Sequence, residues 1–149
     1  YLVAQAGARH LVTGGGGAIV NVSSALALVA DPSLVVYSAT KGGITALSKA
    51  LAVDEARHGV RVNAVLPGAI ETPLLRSFID SKPDPRAVQD ALDSWQWTGR
   101  CGTMEEVGEA CLFLASDGAS FITGIELIIS GGAELAYGVK LPKGESVQL

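Results

Sequence analysis

Apolar and polar positions fall into blocks along this chain, and the period changes from block to block. Residues 1–13 carry Leu2, Val3, Ala6, Leu11 and Val12 at helical intervals, which predicts a helix. Gly14–Gly17 stop it, and the apolar run that follows predicts a buried strand over 18–24. Beyond a loop through Asp31 and Pro32, Ile44, Leu47 and Leu51 recur at helical spacing among small Ala and Gly residues. That pattern predicts a long helix over residues 36–57, packed closely against another helix or the sheet. A second strand is predicted over 60–66, ending at Pro67-Gly68. Residues 69–100 form a long excursion interrupted by Pro73, Pro83 and Pro85, expected to hold short helices. A helix over 103–116 has Thr103 as N-cap, with Glu105 and Glu106 where the helix dipole favours negative charge. The last strand is expected over 125–130. Strands joined through helices pair in parallel, so the fold class is α/β.

Composition narrows the functional classes. Of 149 residues, 48% are hydrophobic and 17% charged, which excludes a disordered chain. Net charge is −4 with the basic residues scattered, against nucleic acid or an anionic membrane as partner. No apolar run approaches the roughly 20 residues of a membrane span. Cys101 and Cys111 show no metal-ligand spacing, so no metal site is expected, and two cysteines without a framework fit a reducing cytoplasm. His10 and His58 fall at polar helix ends, where solvation explains them. Asn21-Val22-Ser23 matches a glycosylation acceptor but lies in a strand expected to be buried.

Candidate chemistry gathers at Ser24, Tyr37 and Lys41. Tyr37 and Lys41 are four residues apart and project from the same helix face. An ammonium beside a phenol stabilises the phenolate, and without such help a phenol of pKa about 10 is a poor base at neutral pH. Ser24, thirteen residues before Tyr37, ends the first strand and can hydrogen-bond a reacting oxygen. Strand C-terminal ends are where open α/β sheets place ligands. Composition alone yields such a triple at about the one-in-a-hundred level. Gly14–Gly17 invite a phosphate-loop reading, but a dinucleotide turn runs strand, glycines, helix, and here the order is helix, glycines, strand.

Across nearly its whole length the chain resembles the classical short-chain dehydrogenase/reductase family. Ile19–Ser24 is similar to the family's serine strand and Tyr37–Gly43 to its catalytic helix. Val60–Pro73 resembles the next strand with its Pro-Gly turn, and Phe113–Asp117 with Phe121–Gly124 the last helix and strand. The tail Gly131–Gly138 resembles the 17β-hydroxysteroid dehydrogenase type 14 branch. The resemblance implies a doubly wound, parallel-sheet Rossmann-like fold. It implies Ser24, Tyr37 and Lys41 as catalytic residues, and a cofactor, NAD or NADP with the balance towards NAD, held by Tyr37, Lys41, Pro67, Gly68, Ile70 and Thr72. The implied reaction is hydride exchange with a hydrophobic, steroid-like secondary alcohol or ketone in a dimer or tetramer.

Three family segments have no counterpart here: the glycine-rich turn after the first strand, the Asn-Ala-Gly segment, and the catalytic asparagine before the serine strand. Tyr1–Gln5 resembles the inside of the helix just past that asparagine, and there is no initiator Met. The expectation is therefore a partial domain over 1–149, the catalytic and substrate half of a longer enzyme. Its excursion over 69–100 is long enough to act as a lid. Ser24, Phe78, Trp95 and Trp97 are the candidate substrate-pocket residues, although the three aromatics equally suit packing of the lid onto the body. Two alternatives stand beside the enzyme reading. One is a catalytically incompetent fragment with a bare sheet edge; the other is an assembly module using the long helix and last strand.

Overall fold

A computed structural model of the chain describes residues 1–135. Helix α1 spans Leu2–Thr13, strand β1 Gly17–Val22, helix α2 Val35–Glu55 and strand β2 Val60–Pro67. Helices α3 (Pro73–Asp80), α4 (Pro85–Trp95) and α5 (Met104–Ala115) follow, and strand β3 (Glu126–Ile129) comes last. The strands form one parallel sheet in the order β1-β2-β3, with Val20 opposite Asn63 and Leu66 opposite Ile128.

Strand β2 is the centre of the molecule. Val60, Val62, Ala64, Val65 and Leu66 are fully buried, as a parallel strand covered on both faces must be. On one face Val60 and Val62 pack with Leu51 and Ala52 of α2 and with Leu11 and Val12 of α1. On the other, Val65 packs with Leu114 of α5, Ala119 and Leu127. Helices on both faces of a parallel sheet give the doubly wound layering expected of the family resemblance. Each fully buried Val or Leu contributes about 1.5–3 kcal/mol.

Two expectations change. The first strand stops at Val22 rather than 24, because Ser24 Oγ accepts a hydrogen bond from the Leu26 N–H at 3.2 Å and caps a short 3-10 turn over Ala25–Ala27. The small residues of α2 are not all close-packed: Thr45, Ser48, Leu51 and Ala52 face the core, but a Cβ added at Gly42 or Gly43 would meet nothing within 4 Å. The heptad-like spacing marks only the sheet-facing side, and the glycine face is open among the described residues.

The excursion after β2 is ordered by its prolines. Pro73 and Pro85 each open a helix, where a missing N–H costs nothing, and Thr72 and Asp84 cap those helices. Ile79, Leu92 and Cys101 form a small core of their own, with Leu75 and Val88 against it. The end of the excursion returns to its start through a parallel bridge between Ile70 and Gly102. Thr103 caps α5 in a reciprocal box with Glu106, as its sequence position predicts.

Candidate active site

All three strands point their C-terminal ends to one edge of the sheet, and the candidate residues collect there. β1 runs into Ser23 and Ser24, and the Ser23 N–H donates to the Val65 carbonyl at 2.8 Å. Ser23 Oγ donates to the Lys41 carbonyl at 2.8 Å, and Lys41 Nζ donates to the Val22 carbonyl at 3.2 Å. These two bonds, running in opposite directions, fix the strand end against the second turn of α2. Deeper in, Asn21 Nδ2 donates to Ser48 Oγ at 2.9 Å and holds the same pair together.

Tyr37 stands in the first turn of α2, 42% exposed, with the Lys41 ammonium 5.6 Å from its ring centroid. Among the described residues its hydroxyl has no hydrogen-bond partner. Ser24 is buried, and because its oxygen accepts from Leu26, its proton remains available to donate. Ser24 and Tyr37 line one cavity of about 760 Å³, together with Pro67, Gly68 and Trp95. Lys41 stands behind Tyr37 and does not line it.

The remaining predicted residues separate. Trp95, at the end of α4, is a wall of the cavity, but Phe78 and Trp97 are not. Phe78 lies on the outer side of α3 under the Lys82 ammonium, 4.1 Å from its ring centre, while Ile79 takes the inward position. An added Cβ at Gly132 would stand 3.4 Å from the Trp97 Cβ, so Trp97 sits over the turn after β3. Pro67 and Gly68 reach the cavity at the end of β2. Gly68 is confined there, since a Cβ would come within 2.9 Å of the Ser130 Cα. Ile70 is held by the bridge through its neighbours: Glu71 N–H donates to Gly102 O at 2.8 Å and Gly102 N–H to Ala69 O at 2.9 Å. The N–H and C=O of Ile70 itself take no part in those bonds. Thr72 Oγ1 accepts from the Leu75 N–H at 3.1 Å and lines a separate hollow of about 200 Å³ with Arg76 and Gln89.

Sequence reasoning missed two polar residues of the cavity, Asp31 and Gln96. Asp31 was visible only as part of a loop between Ser24 and Tyr37; Gln96 stands between two tryptophans that drew attention first. Gln96 is 3% exposed, and its Nε2 donates to Leu92 O at 2.6 Å.

Outside the cavity, Arg100 and Glu106 brace the start of α5. Arg100 makes two bonds to Glu106, at 2.9 and 2.5 Å, and Glu106 also accepts from the Thr103 N–H. The Arg100 guanidinium and then that backbone bond lower the Glu106 carboxyl to about 2. Burial, reinforced by the Asp93 carboxylate, pushes the Cys101 thiol up to about 11. No group of three or more His, Cys, Asp or Glu stands ready for a metal among the described residues. No helix among them is long and apolar enough to cross a membrane.

Ser24, Tyr37 and Lys41 gather at the carboxyl edge of a parallel sheet, and the chain belongs to the short-chain dehydrogenase/reductase family. Residues 1–134 match the family model described as enoyl-(acyl carrier protein) reductase. The L-fucose dehydrogenase of Mus musculus is 49% identical over 127 residues, 85% of this chain and 46% of that protein. The cis-4-hydroxycyclohexanecarboxylate dehydrogenase of Sinomonas cyclohexanicum is 44% identical, over 83% of this chain and 47% of that protein. A crystal structure of gluconate 5-dehydrogenase from Burkholderia cenocepacia, in complex with NADP and tartrate, superposes with a TM-score of 0.82. It is 38% identical and is matched over 90% of this chain and 51% of its own. The chain thus spans about half the length of the curated relatives it matches.

The donor set fits the nicotinamide end of such a cofactor. Among the described residues, the Lys41 ammonium has protons beyond the one given to Val22, the Tyr37 hydroxyl and the Ile70 N–H are uncommitted, and Thr72 keeps its hydroxyl proton. A counterpart for the pyrophosphate is not among these elements, since Gly14–Gly17 cap α1 and the Gly17 N–H donates to Gly59 O at 3.1 Å.

Proposed function

We propose that this chain carries the catalytic half of an NAD(P)-dependent dehydrogenase acting on a secondary alcohol or its ketone. The observation that carries the reading is the shared cavity of Ser24 and Tyr37, with an ammonium held 5.6 Å from the Tyr37 ring. When bound, the nicotinamide supplies the acceptor or donor of hydride. Tyr37 takes the hydroxyl proton of the alcohol, or returns it to the ketone oxygen. Lys41 places a positive charge beside the phenol and would donate towards the cofactor ribose. Ser24 donates to the reacting oxygen as charge develops on it. Pro67 and Gly68 form the cofactor side of the cleft, and Ile70 and Thr72, outside it, would hold the cofactor further along.

Leu26, Val29, Leu34 and Trp95 give the cleft apolar walls, which suit a bulky hydrophobic alcohol. The steroid-like assignment draws support only from the tail Gly131–Gly138, of which residues 136–138 lie outside the described residues. That tail also favours NAD, whereas the gluconate 5-dehydrogenase neighbour holds NADP, so both forms belong in the titration. The two cysteines are free thiols, consistent with a cytoplasmic protein. Homo-oligomer formation through α2 is a second reading, favoured by the open face at Gly42 and Gly43 with Val36 and Val53 exposed beside it. Light scattering that shows a stable oligomer without NAD(H) or NADP(H) binding would favour assembly alone.

The test is Tyr37→Phe in the native full-length protein, followed by NAD(P)H absorbance and by cofactor titration. Turnover falls by about 100- to 10,000-fold, the range of one acid–base group, while cofactor affinity is largely kept. Unchanged turnover removes Tyr37 from the chemistry.

A further inference from the structure

We infer that Asp31 is the specificity-determining acceptor of this cleft, selecting a neutral secondary alcohol with a second hydroxyl and excluding alcohols that carry a carboxylate. The assignment rests on the redox reading for the reacting carbon but on its own observations for the rest. Among the described residues lining the cavity, Asp31 is the sole charged side chain. The other polar side chains have employment: Ser24 and Tyr37 at the reacting oxygen, and Gln96 on the Leu92 carbonyl. The Asp31 carboxylate has no hydrogen bond or ion pair with a described residue.

The loop presents this residue rather than leaving it adrift. Leu34 N–H donates to the Asp31 carbonyl at 3.3 Å, closing a four-residue turn. Pro32 supplies the second position and Ser33 the third, at φ +67°, the one non-glycine positive φ among the described residues. That is the pattern of a type II turn, whose third position ordinarily demands glycine. A serine held in this conformation shows that the surroundings dictate the turn. An aspartate at the first turn position usually bonds the backbone ahead of it, and here it does not.

An ionised carboxylate only accepts hydrogen bonds, so a ligand filling the cleft must bring a donor or strand a desolvated charge. A hydroxyl meets that need at small desolvation cost. An ammonium would have to be stripped of water along with the carboxylate, a trade that roughly breaks even. A second carboxylate is repelled. The preferred ligand therefore has an apolar ring against Leu26, Val29 and Trp95, one hydroxyl at Tyr37 and another at Asp31.

A matched set of ring alcohols tests this on the native full-length protein: cyclohexanol, cyclohexane-1,3-diol and cyclohexane-1,4-diol, 4-aminocyclohexanol and 4-hydroxycyclohexanecarboxylate. Both kcat/KM and saturation-transfer NMR binding are measured for wild type, Asp31→Leu and Asp31→Asn, with folding checked by circular dichroism. The better diol is preferred over cyclohexanol by the wild type, and Asp31→Leu lowers that preference by about 10- to 100-fold, the worth of a hydrogen bond to a charged group. Asp31→Asn keeps much of the diol preference and raises use of the carboxylate, so the idea stays testable if the Leu variant does not fold. An Asp31-independent diol preference, or a larger Asp31 dependence for the amine than for either diol, overturns the assignment. Asp31-dependent diol binding without any hydride transfer would uphold it and overturn the redox reading instead.

Discussion

Asn63 offers the sharpest test of how the sheet is held. It is fully buried in the middle of β2, yet it is polar. Its Nδ2 donates to the Ile122 carbonyl at 3.0 Å and its Oδ1 accepts from the Ile125 N–H at 3.1 Å. On either side, the Gly124 N–H donates to Val62 O at 2.8 Å and the Ala64 N–H to Ile125 O at 2.9 Å. The side chain thus acts as a staple that carries the chain from α5 into β3. Asn63→Ala leaves the Ile125 N–H without its partner, while the Ile122 carbonyl keeps only a 3.5 Å bond from Arg61 Nη1. At about 1–3 kcal/mol for an orphaned group, the loss is about 1–3 kcal/mol. Against a typical total of about 5–15 kcal/mol, that is a large fraction of the stability. Urea denaturation followed by far-ultraviolet circular dichroism, with linear extrapolation, reads it directly. Thr123→Val is the companion variant, because Thr123 Oγ1 accepts from the Val62 N–H at 3.0 Å; it loses one such bond, about 1–3 kcal/mol. The double variant should lose less than the two added, since both act on one segment. A loss below about 1 kcal/mol for Asn63→Ala would refute the argument, because that is the lower bound for stranding the Ile125 N–H.

Glu106 titrates at about 2 in the folded chain against an ordinary 4.5, so the Arg100 interaction stabilises fully above pH 4.5 and fades as pH falls towards 2. Glu106→Gln should flatten that part of an acid-unfolding curve, and a curve of unchanged shape would count against the interaction. Cys101, 2% exposed and titrating at about 11, should resist thiol-specific alkylation at neutral pH until the protein is unfolded in urea. Native-state modification of Cys101 as fast as that of an unfolded thiol would show that the small core of the excursion opens readily.

The strands were legible where burial is symmetrical. Val60–Leu66 reads as a strand because its apolar positions outnumber Arg61 and Asn63, and the strand formed there because both faces are covered. Thr103 could be read as a cap because its partner Glu106 is local, three residues on. Ser24 could not: whether a serine continues a strand or turns its oxygen on the next backbone depends on a hydrogen bond to Leu26 that hydropathy does not encode. The same holds on α3. Leu75, Phe78 and Ile79 all fit one helical stripe, yet Leu75 and Ile79 face Cys101 and Leu92 while Phe78 faces outward. Only the position of α4 decides between them, and that is a tertiary fact.

For the candidate site, spacing told where Tyr37 and Lys41 stand relative to each other but not what holds them there. Helical periodicity sets both on one side of α2, and the natural reading is that each steadies the other. The structure distributes the work differently. The Lys41 ammonium is tethered to the Val22 carbonyl, and the Lys41 carbonyl is tethered in turn to Ser23, a residue with no chemical task of its own. The separation between phenol and ammonium is therefore set by the register of β1 against α2, and the Asn21–Ser48 bond fixes the same register two turns further along α2. A site held this way keeps the ammonium beside the phenol through contacts in which the phenol takes no part. The acid–base role proposed for Tyr37 requires that of its neighbour.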